Sequence, residues 1–413
     1  MSNYKILFGI TGSIAAYKSA YLISKLVQNG FEVKVVATEN AFKFIGVATL
    51  EGLTGNKVYS DSFESGEMMN HINLMKWADL IIVCPASANT INKFASGIAD
   101  NLITSLFLAY DFKKPFLIAP AMNVKMYEHP VTKESLKKLS NWGIKVLQTS
   151  KGYLACGDIG EGKLLEPDEI YEHILVSLNE NNLKRKLKIL VTAGGTKENI
   201  DGIRYITNLS TGRTASEIAN YFARKGHNVT YLHAFDATTP SAPCNKISYN
   251  DFNDLNKKVE SILNSDSYDL VIHNAAVSDY SPVYVELGSI NYDVPLNSKI
   301  KSDVGEINIH LKKNPKILDK IKDYSKNKNL FLVAFKFTNT LNEEEKISAV
   351  RKSFQNSNCD IVVNNDLNDR DENNVQRIFH IYDKKFKKIT VNTANNLSDE
   401  IEKIIIQKIG DKI

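Results

Sequence analysis

The chain has 413 residues, a length that favours two or three domains over one. Hydrophobic residues make up 43% of it and charged residues 24%, so ordinary globular cores can form. The formal charge of +4 is small for this length. It gives no reason to expect a nucleic-acid partner, although it suits small anionic ligands.

Neither membrane insertion nor export is expected from the sequence. No apolar run approaches the length that spans a bilayer, and the stretch "MSNYKILFGITG" lacks the features of a signal peptide. The cysteines lie far apart and form no CxxC pair, which argues against a clustered zinc site and more strongly against a disulfide framework; they are Cys84, Cys156, Cys244 and Cys359. The expectation is a cytoplasmic protein with reduced thiols.

The first half of the chain alternates predicted strands and helices. A strand is predicted for "YKILFGI", an amphipathic helix ending at Gly30 for "SIAAYKSAYLISKLVQNG", and the next strand for "FEVKVVAT". Buried strands follow at "ADLIIVCPAS" and "KPFLIAPAMN", and a closing helix at "DEIYEHILVSLNE". This order is typical of βαβ units in a parallel sheet.

The pattern restarts after the polar, basic stretch "NNLKRKLK" at 181–188. A strand and glycine turn are predicted for "KILVTAGGT", a helix for "TASEIANYFARKG" and a strand for "HNVTYLHA". Further strands are predicted at "YDLVIHNAAVSDY", "NLFLVAFKF" and "CDIVVNND", a hairpin at "RIFHIYDKKFKKITV" and a last helix at "LSDEIEKIIIQKI". We therefore predict two α/β domains, residues 1–185 and 186–413, both with largely parallel sheets.

Glycine turns end the first predicted strand of each domain, at "GITGS" (9–13) and "AGGT" (193–196). Ligands of open α/β sheets bind at the carboxyl ends of strands, where a helix N-terminus attracts anions. Neither turn is GxGxxG, and the second strand ends at Thr38 without an acidic residue to hold a ribose hydroxyl. This argues against NAD and favours another phosphate-bearing ligand. For either turn alone, a glycine chosen for backbone freedom stays the simpler explanation.

Polar residues follow or precede other predicted strands of the first domain. Ser87 and Asn89 follow one strand, where a helix cap explains them as well as a ligand does. His71 precedes the same strand, and a lone histidine is more often structural than catalytic. Asn123 follows the next strand and could hold a substrate carboxylate without neutralising it. That suits decarboxylation, because a counter-charge would stabilise the ground state.

Cys156 lies in the glycine-rich stretch "GYLACGDIGEGKLLEP" (152–167). The thiol could be filler, a metal ligand, half of a disulfide or a working acid. The wide spacing of the cysteines disfavours the disulfide and a clustered metal site. A flexible loop with one proton-donating group suits a lid over a site, although filler stays open.

Together these stretches resemble one family. Four of them resemble the flavin domain of phosphopantothenoylcysteine decarboxylase: "GITGSIAAYK", "HINLMKWADLIIVCPASANTINKFASGIADNL", "PAMNVKMYEHP" and "GYLACGDIGEGKLLEP". Two others resemble phosphopantothenate–cysteine ligase: "VTAGGTKENIDGIRYITNLSTG" and "NAAVSDY". In this order they resemble the bacterial bifunctional coenzyme A biosynthesis proteins over essentially the whole chain.

The resemblance implies a flavodoxin-like first domain that binds FMN. The positions matching the family's FMN contacts are Gly12, Ser13, Thr38, Ser87, Asn89, Ser105 and the backbone of Met122. It further implies that His71 is the active-site histidine, Asn123 holds the substrate carboxylate and Cys156 is the proton donor. In the family, FMN oxidises the thiol-bearing carbon, carbon dioxide leaves, and the resulting enethiolate is protonated while the carbon is reduced again.

The resemblance also implies a Rossmann-like ligase domain. CTP and Mg²⁺ would convert the carboxylate of 4′-phosphopantothenate to an acyl-cytidylate, and the amine of cysteine would attack it to give 4′-phosphopantothenoylcysteine. The matching positions are Asn208 near the acyl group, Ala275 and Phe335 for the nucleotide, Asp279 for nucleotide and metal, and Lys299 as the first lysine of a KxKK motif. A cation there would neutralise charge developing on phosphate. The implied homo-oligomer has trimeric flavin domains and dimeric ligase domains, up to a dodecamer.

The ligase half departs from the family at several positions. Arg213 stands where the family has lysine, and the run that begins at Lys299 ends in Ser302 instead of lysine. For two nucleotide-contacting lysines, the chain offers only the displaced Arg351 and Lys352. An active decarboxylase with a weakened or altered-nucleotide ligase is therefore an alternative.

A non-enzymatic flavin-binding regulatory subunit is a further alternative. That reading predicts loss of His71, Asn123 or Cys156, and all of these residues are present.

Overall fold

The computed structural model describes residues 4–60, 69–153, 157, 159–180, 183, 185–288, 290–301 and 305–410. Cys156 and Ser302, both singled out from the sequence, lie outside the described residues. The chain divides into two compact units, Met1–Asn182 and Leu183–Ile413. Each unit contains a largely parallel sheet with helices on both faces, which confirms the predicted α/β class.

The main sheet of the first unit is entirely parallel. Within the described residues its six strands are β1 (Lys5–Ile10), β2 (Glu32–Ala37), β3 (Val58–Tyr59), β4 (Leu80–Ala86), β5 (Phe116–Pro120) and β6 (Lys145–Val146). Their order is β3-β2-β1-β4-β5-β6. The strands β7 (Ser150–Tyr153) and β8 (Ile159–Lys163) form a separate antiparallel hairpin.

Helices cover both faces of this sheet. They are α1 (Ala16–Gln28), α2 (Val47–Thr54), α3 (Asn70–Trp77), α4 (Ala88–Ser96), α5 (Leu102–Leu108), α6 (Val124–Glu128), α7 (Pro130–Asn141) and α8 (Pro167–Glu180). Apolar residues of α1, α2 and α8 pack on one face, and those of α3, α4, α5 and α7 on the other. Every residue of β4, "LIIVCPA", is therefore buried, as expected for a doubly covered parallel strand. The strand order reverses between β1 and β4, where such sheets bind ligands.

Lys114 fixes the direction of α3. Its ammonium donates to the carbonyls of Met75 and Lys76, both at 2.9 Å, near the end of α3. Because Lys114 lies two residues before β5, this end of α3 lies at the amino edge of the sheet. An eight-residue helix is about 12 Å long, so His71 in its first turn lies towards the carboxyl edge. The chain's two tryptophans are both in this unit, Trp77 at the end of α3 and Trp142 directly after α7.

The second unit has a larger mixed sheet. Its described strands are β9 (Lys188–Ala193), β12 (Asn228–Ala234), β13 (Asn245–Tyr249), β14 (Leu270–His273), β18 (Phe331–Thr338), β19 (Ile361–Asp366), β20 (Phe379–Asp383) and β21 (Lys388–Val391), in the order β13-β12-β9-β14-β18-β19-β20-β21. Pairing is parallel from β13 to β19 and antiparallel at β20 and β21, which confirms the predicted terminal hairpin. Here the strand order reverses between β9 and β14.

The helices of this unit again form two layers. They are α9 (Arg213–Arg224), α10 (Phe252–Ser265), α11 (Ile317–Tyr324), α12 (Glu343–Ser357) and α13 (Ala394–Gly410). Apolar residues of α9 and α13 pack on one face of the sheet, and those of α10, α11 and α12 on the other. Across the whole described part of the chain, none of the helices has the combined length and apolar character needed to cross a membrane.

Besides the hairpin of β7 and β8, which lies where a flexible loop was expected, two small antiparallel sheets were not predicted from the sequence. They are the hairpin of β10 (Lys197–Asn199) and β11 (Tyr205–Thr207), and the sheet of β15 (Tyr280–Leu287), β16 (Ile290–Asp293) and β17 (Ile307–Lys313). All residues of β17, "INIHLKK", are exposed, so it lacks the buried apolar run used to predict the other strands. The alternation of Ile307, Ile309 and Leu311 with polar residues was the available signal for this strand.

Candidate active sites

The turn after β1 is held against the start of α4 in the first unit. The Thr11 hydroxyl donates to the Pro85 carbonyl at 2.7 Å and accepts from the Ser87 amide at 2.9 Å. The next residue, Gly12, faces the loop after β2 so closely that an added Cβ would lie 2.7 Å from the Cβ of Asn40. Only glycine fits there, and the loops after β1, β2 and β4 therefore meet at the switch point.

Thr38 carries an unsatisfied buried oxygen at this meeting point. Its amide donates to the carbonyl of Ile10 at 3.0 Å, while its hydroxyl oxygen is sealed from solvent and has no hydrogen-bond partner among the described residues. Gly12 and Ser13 enter α1, whose first N–H groups lack helical acceptors and attract anions. A buried hydroxyl without a partner is unfavourable, so this corner fits an absent polar ligand.

The loops after β4 and β5 adjoin the same edge. Ala121 donates its amide to the carbonyl of Ala86 at 3.1 Å, which joins the ends of the two strands. Ser87 caps α4 with its hydroxyl, and Asn89 is exposed in the first turn of that helix. Met122 directly follows the joined strand ends. The hydrogen bond that caps α4 explains why a serine stands at position 87, even without a ligand. The exposed side chain of Asn89 does not cap the helix.

His71 and Ser105 lie on neighbouring helices. Both side chains are half-buried, His71 in the first turn of α3 and Ser105 on α5, and the two helices pack against each other.

Asn123 lies beneath the hairpin of β7 and β8. Its Oδ1 accepts from the Lys125 amide at 2.8 Å and so caps α6. The Met122 amide donates to the Gly162 carbonyl of β8 at 3.0 Å. Gly162 has φ +118°, and a Cβ on it would lie 2.5 Å from the Met122 carbonyl oxygen. The hairpin strands that flank Cys156 in sequence therefore contact the segment that carries Asn123.

A cavity of about 1460 Å³ opens at the carboxyl edge of the eight-stranded sheet of the second unit. The structure brings together four of the residues singled out from the sequence, since Asn208, Ala275, Asp279 and Phe335 all line it. Lys299 is exposed after β16 and is not one of the lining residues.

Hydrogen bonds join the loops that form the floor of this cavity. The Ser278 amide donates to the Thr196 hydroxyl at 3.0 Å, and the Ala276 amide to the Gly194 carbonyl at 2.8 Å. The Asn208 side-chain amide donates to the Val277 carbonyl at 3.1 Å. Asn208 is therefore fixed to the loop that carries Ala275 and Asp279.

Charges of both signs line the cavity. Among the described residues the basic ones are Arg213, Lys316, Lys336, Lys352 and Arg370, and the acidic ones are Glu217, Asp236, Asp279, Asp319 and Glu345. Asp236 pairs with Lys197 at 2.9 Å, and one carboxylate oxygen of Asp279 pairs with the Lys316 ammonium. Burial raises the pKa of the Asp319 carboxyl.

The metal expected at Asp279 would need oxygens from a substrate. In the described part of the chain, no group of three histidine, cysteine or acidic side chains is arranged to hold a metal ion. Mg²⁺ is commonly bound through one or two carboxylates together with substrate phosphates, and the exposed carboxylate of Asp279 fits that mode.

Several cavity residues were missed or left ambiguous by sequence reasoning. Lys352 lines the cavity, whereas the neighbouring Arg351 places its guanidinium 5.3 Å from the centre of the Phe386 ring. Lys336 and His273 also line it, and neither was singled out from the sequence. The position of Lys336 directly after Phe335 was the available signal.

Two family models match the chain. Residues 1–179 match the family described as Flavoprotein, and residues 184–409 match the DNA/pantothenate metabolism flavoprotein C-terminal domain. Among solved structures, the DNA/pantothenate metabolism flavoprotein from Streptococcus pneumoniae is 28% identical and covers 55% of this chain and 100% of its own, with a TM-score of 0.46. The FMN binding protein AtHal3 is 35% identical and covers 42% of this chain and 95% of its own, with a TM-score of 0.38.

Relatives of known name span nearly the whole chain. The coenzyme A biosynthesis bifunctional protein CoaBC of Borreliella burgdorferi is 34% identical over 98% of this chain and 99% of its own length. The protein of the same name from Thermococcus kodakarensis is 35% identical over 97% of this chain and 95% of its own. The protein of that name from Bacillus subtilis is 35% identical over 89% of this chain and 87% of its own length. The chain therefore belongs to the family of bifunctional coenzyme A biosynthesis proteins.

Proposed function

We propose that the chain catalyses two consecutive steps of coenzyme A biosynthesis. Residues 186–413 join cysteine to 4′-phosphopantothenate with CTP, through an acyl-cytidylate, and residues 1–185 decarboxylate the resulting 4′-phosphopantothenoylcysteine to 4′-phosphopantetheine. The observation that carries the proposal is the full-length kinship with bifunctional coenzyme A biosynthesis proteins, at 34% and 35% identity over 98% and 97% of the chain.

FMN is the cofactor that we propose for the first unit. Two observations support it. Among the described residues, the buried hydroxyl of Thr38 has no partner. The close contact at Gly12 brings the loop of Thr38 against the turn that leads into α1, whose N-terminus attracts anions. The residues that would hold FMN are Gly12, Ser13, Thr38, Ser87, Asn89, Ser105 and the backbone of Met122. When bound, FMN supplies the redox chemistry that lets the substrate lose carbon dioxide.

The chain's own residues would position the substrate and supply a proton. The Asn123 Oδ1 caps α6. The side-chain NH₂ is the donor of this amide and therefore the group that would bind a substrate carboxylate. An uncharged donor orients the carboxylate without stabilising it as a full counter-charge would. Cys156 would then protonate the enethiolate left by decarboxylation, with His71 as the active-site histidine on α3.

In the second unit, Ala275 and Phe335 would contact the nucleotide and Asn208 the activated acyl group. Asp279 would hold Mg²⁺ together with substrate oxygens, and Lys352 and Lys336 would offer positive charge to a triphosphate. The presence of Lys352 in the cavity favours a working ligase over a weakened one. Lys299 would neutralise phosphate charge. It is not one of the residues that line the cavity, so its role rests on the family resemblance alone.

We also propose a homo-oligomer with trimeric flavin domains and dimeric ligase domains, up to a dodecamer. Exposed apolar side chains support association of each unit, because monomeric proteins rarely leave such groups clustered in water. They include Ile14, Tyr17 and Tyr21 at the start of the first unit, and Ile307, Ile309 and Leu311 on β17. A cytoplasmic location stays a prediction.

The test uses the purified full-length chain with 4′-phosphopantothenate, cysteine, Mg²⁺ and either CTP or ATP. Pyrophosphate and carbon dioxide are followed separately, and both are expected with CTP. Carbon dioxide from added 4′-phosphopantothenoylcysteine without pyrophosphate from CTP would indicate a decarboxylase with a weakened or altered ligase. Binding of FMN with neither product would indicate a regulatory subunit and would overturn the proposal.

Variants assign the two activities to their sites. Asn123→Asp keeps an oxygen to cap α6 but opposes the substrate carboxylate by charge, so it should stop carbon dioxide release while pyrophosphate release continues. Asn208→Ala should stop pyrophosphate release, while carbon dioxide release from added 4′-phosphopantothenoylcysteine continues. If either variant lost both pyrophosphate release and carbon dioxide release from the added substrate, separate sites would be contradicted.

A further inference from the structure

His273 lies at the point where the strand order of the second unit reverses. It is the last residue of β14 and is paired in register with Thr192 of β9. The side chain is 6% exposed, and it lines the cavity that holds Asn208, Ala275 and Asp279. In open α/β sheets this crevice is where ligands bind.

Thr192 selects the tautomer of this imidazole. Its hydroxyl oxygen accepts from the Ala275 amide at 3.1 Å and lies 2.9 Å from Nδ1 of His273. The Thr192 side chain is fully buried, and among the described residues Nδ1 is the only acceptor within reach of its hydroxyl proton. The hydroxyl therefore donates to Nδ1, because a buried donor needs a partner, and the ring proton belongs on Nε2. Burial lowers the pKa of His273 to about 4, so the ring is neutral at physiological pH.

The Nε2–H group is left as a donor towards the cavity. Among the described residues, Nε2 has no hydrogen-bond partner, and it is not one of the buried polar atoms sealed from solvent. The cavity is the space that this ring adjoins. A neutral donor held in one orientation by a second residue is suited to a ligand acceptor.

We propose that His273 is a substrate-binding residue of the ligase site, whose Nε2–H donates to an anionic oxygen of a substrate. The inference rests on the proposed ligase function of the second unit. The anionic oxygen belongs either to the nucleotide phosphates or to the carboxylate or phosphate of 4′-phosphopantothenate. A neutral donor recognises such an oxygen by direction, whereas Lys336 and Lys352 of the same cavity attract it by charge.

The test measures binding to the full-length protein by calorimetry, with 4′-phosphopantothenate and α,β-methylene-CTP as separate ligands. His273→Phe keeps a ring but removes the donor, and His273→Gln restores an N–H near the position of Nε2. We expect His273→Phe to raise the Kd of one ligand by about tenfold or more, as for a hydrogen bond to a charged group. His273→Gln should recover most of that loss.

Thr192 supplies a second route if His273→Phe fails to fold. Thr192→Val removes the hydroxyl that directs the ring proton to Nε2, so the Kd of the same ligand should rise, while Thr192→Ser should restore it. His233→Gln is the matched control, because His233 is another buried histidine near the end of a strand but does not line the cavity. Decarboxylation of added 4′-phosphopantothenoylcysteine checks that the rest of the chain is intact.

The outcomes separate the inference from the function on which it rests. Unchanged Kd values for both ligands in folded His273→Phe or Thr192→Val protein would overturn the role of His273 and leave the ligase proposal standing. Failure of the unmodified protein to bind either ligand would overturn both. A selective rise for one ligand supports the inference and identifies the source of the anionic oxygen.

Discussion

Gly162 and Met122 are in direct backbone contact. The Met122 amide donates to the Gly162 carbonyl at 3.0 Å, and a Cβ on Gly162 would lie 2.5 Å from the Met122 carbonyl oxygen. The hairpin of β7 and β8 can therefore lie against the segment that carries Asn123 only with glycine at this position. The contact connects the glycine-rich stretch of the sequence with the proposed decarboxylase site.

Gly162→Ala should displace this hairpin. The substitution adds a methyl group at a backbone position with φ +118°, where side chains are strained even without a clash. We expect decarboxylation to fall roughly 100-fold, as for a displacement of about 1 Å in an active site. Pyrophosphate release should be unchanged. Gly46→Ala is the control, because its nearest neighbour would be the Thr49 hydroxyl at 3.9 Å. Equal carbon dioxide release from the two variants would contradict the role of the contact.

Thr38→Val should weaken flavin binding. The change removes a buried hydroxyl that has no partner among the described residues, so the apoprotein should lose little stability. If FMN satisfies that hydroxyl, its Kd should rise about 2- to 10-fold, which flavin titration of the apoprotein can measure. Thr49→Val, at an exposed position of the same unit, should leave the Kd unchanged. An unaltered Kd in Thr38→Val would remove Thr38 from the flavin site.

Lys352→Ala and Arg351→Ala form a matched pair on α12. Lys352 lines the cavity, whereas Arg351 stacks on Phe386 at 5.3 Å. A cation that contacts triphosphate contributes a charge-assisted hydrogen bond, so Lys352→Ala should raise the KM for CTP about tenfold. Arg351→Ala should raise the KM for CTP less than twofold, because Arg351 stacks on Phe386 and exposed charges that do not contact the ligand contribute little. Pyrophosphate release at varied CTP concentration measures the KM of each variant. A larger rise in KM for Arg351→Ala than for Lys352→Ala would contradict the position of Lys352 in the cavity.

Asp366 should stabilise the second unit at neutral pH and lose that effect in acid. Burial raises the pKa of this carboxyl, but hydrogen bonds from Thr338 and Asn368 outweigh burial and lower it from 3.8 to about 2. A carboxyl with a depressed folded-state pKa stabilises the fold fully above the unfolded value, and the contribution disappears as the pH falls through the folded value. Its window is therefore between about pH 4 and pH 2.

Asp366→Asn should accordingly destabilise the protein more at pH 7 than at pH 3. Thermal melts of the variant and the unmodified protein at both pH values measure the difference. Glu372→Gln, at an exposed position in the following loop, is the control and should shift the melting temperature little. A destabilisation by Asp366→Asn that does not depend on pH would contradict the assigned titration.

The sequence predicted the strands that are buried on both faces, because their apolar runs are long and end at turns. The strand β4 is the clearest case, since each of its residues is buried. It did not predict β17, whose exposure removes that signal. The structure brings the loops of Gly12, Thr38 and Ser87 together at the carboxyl edge of the sheet, where open α/β sheets bind their ligands.

Other parts of the sites depend on tertiary packing, which a single sequence does not reveal. Arg351 and Lys352 are adjacent in sequence, and only the packing of α12 decides which one lines the cavity. In the sequence, His273 is a polar residue that interrupts an apolar strand. Only the register of β14 against β9 shows that Thr192 lies beside it. Lys299 was singled out by its motif, yet the described cavity does not include it.

The location of Trp77 and Trp142 in one unit gives each half of the chain a different optical signal. Tryptophan fluorescence reports on the first unit alone, because the second unit contains tyrosine but no tryptophan. Circular dichroism follows the helices of both units. Comparing the two signals during denaturation would separate the free energies of unfolding of the two halves without cutting the chain.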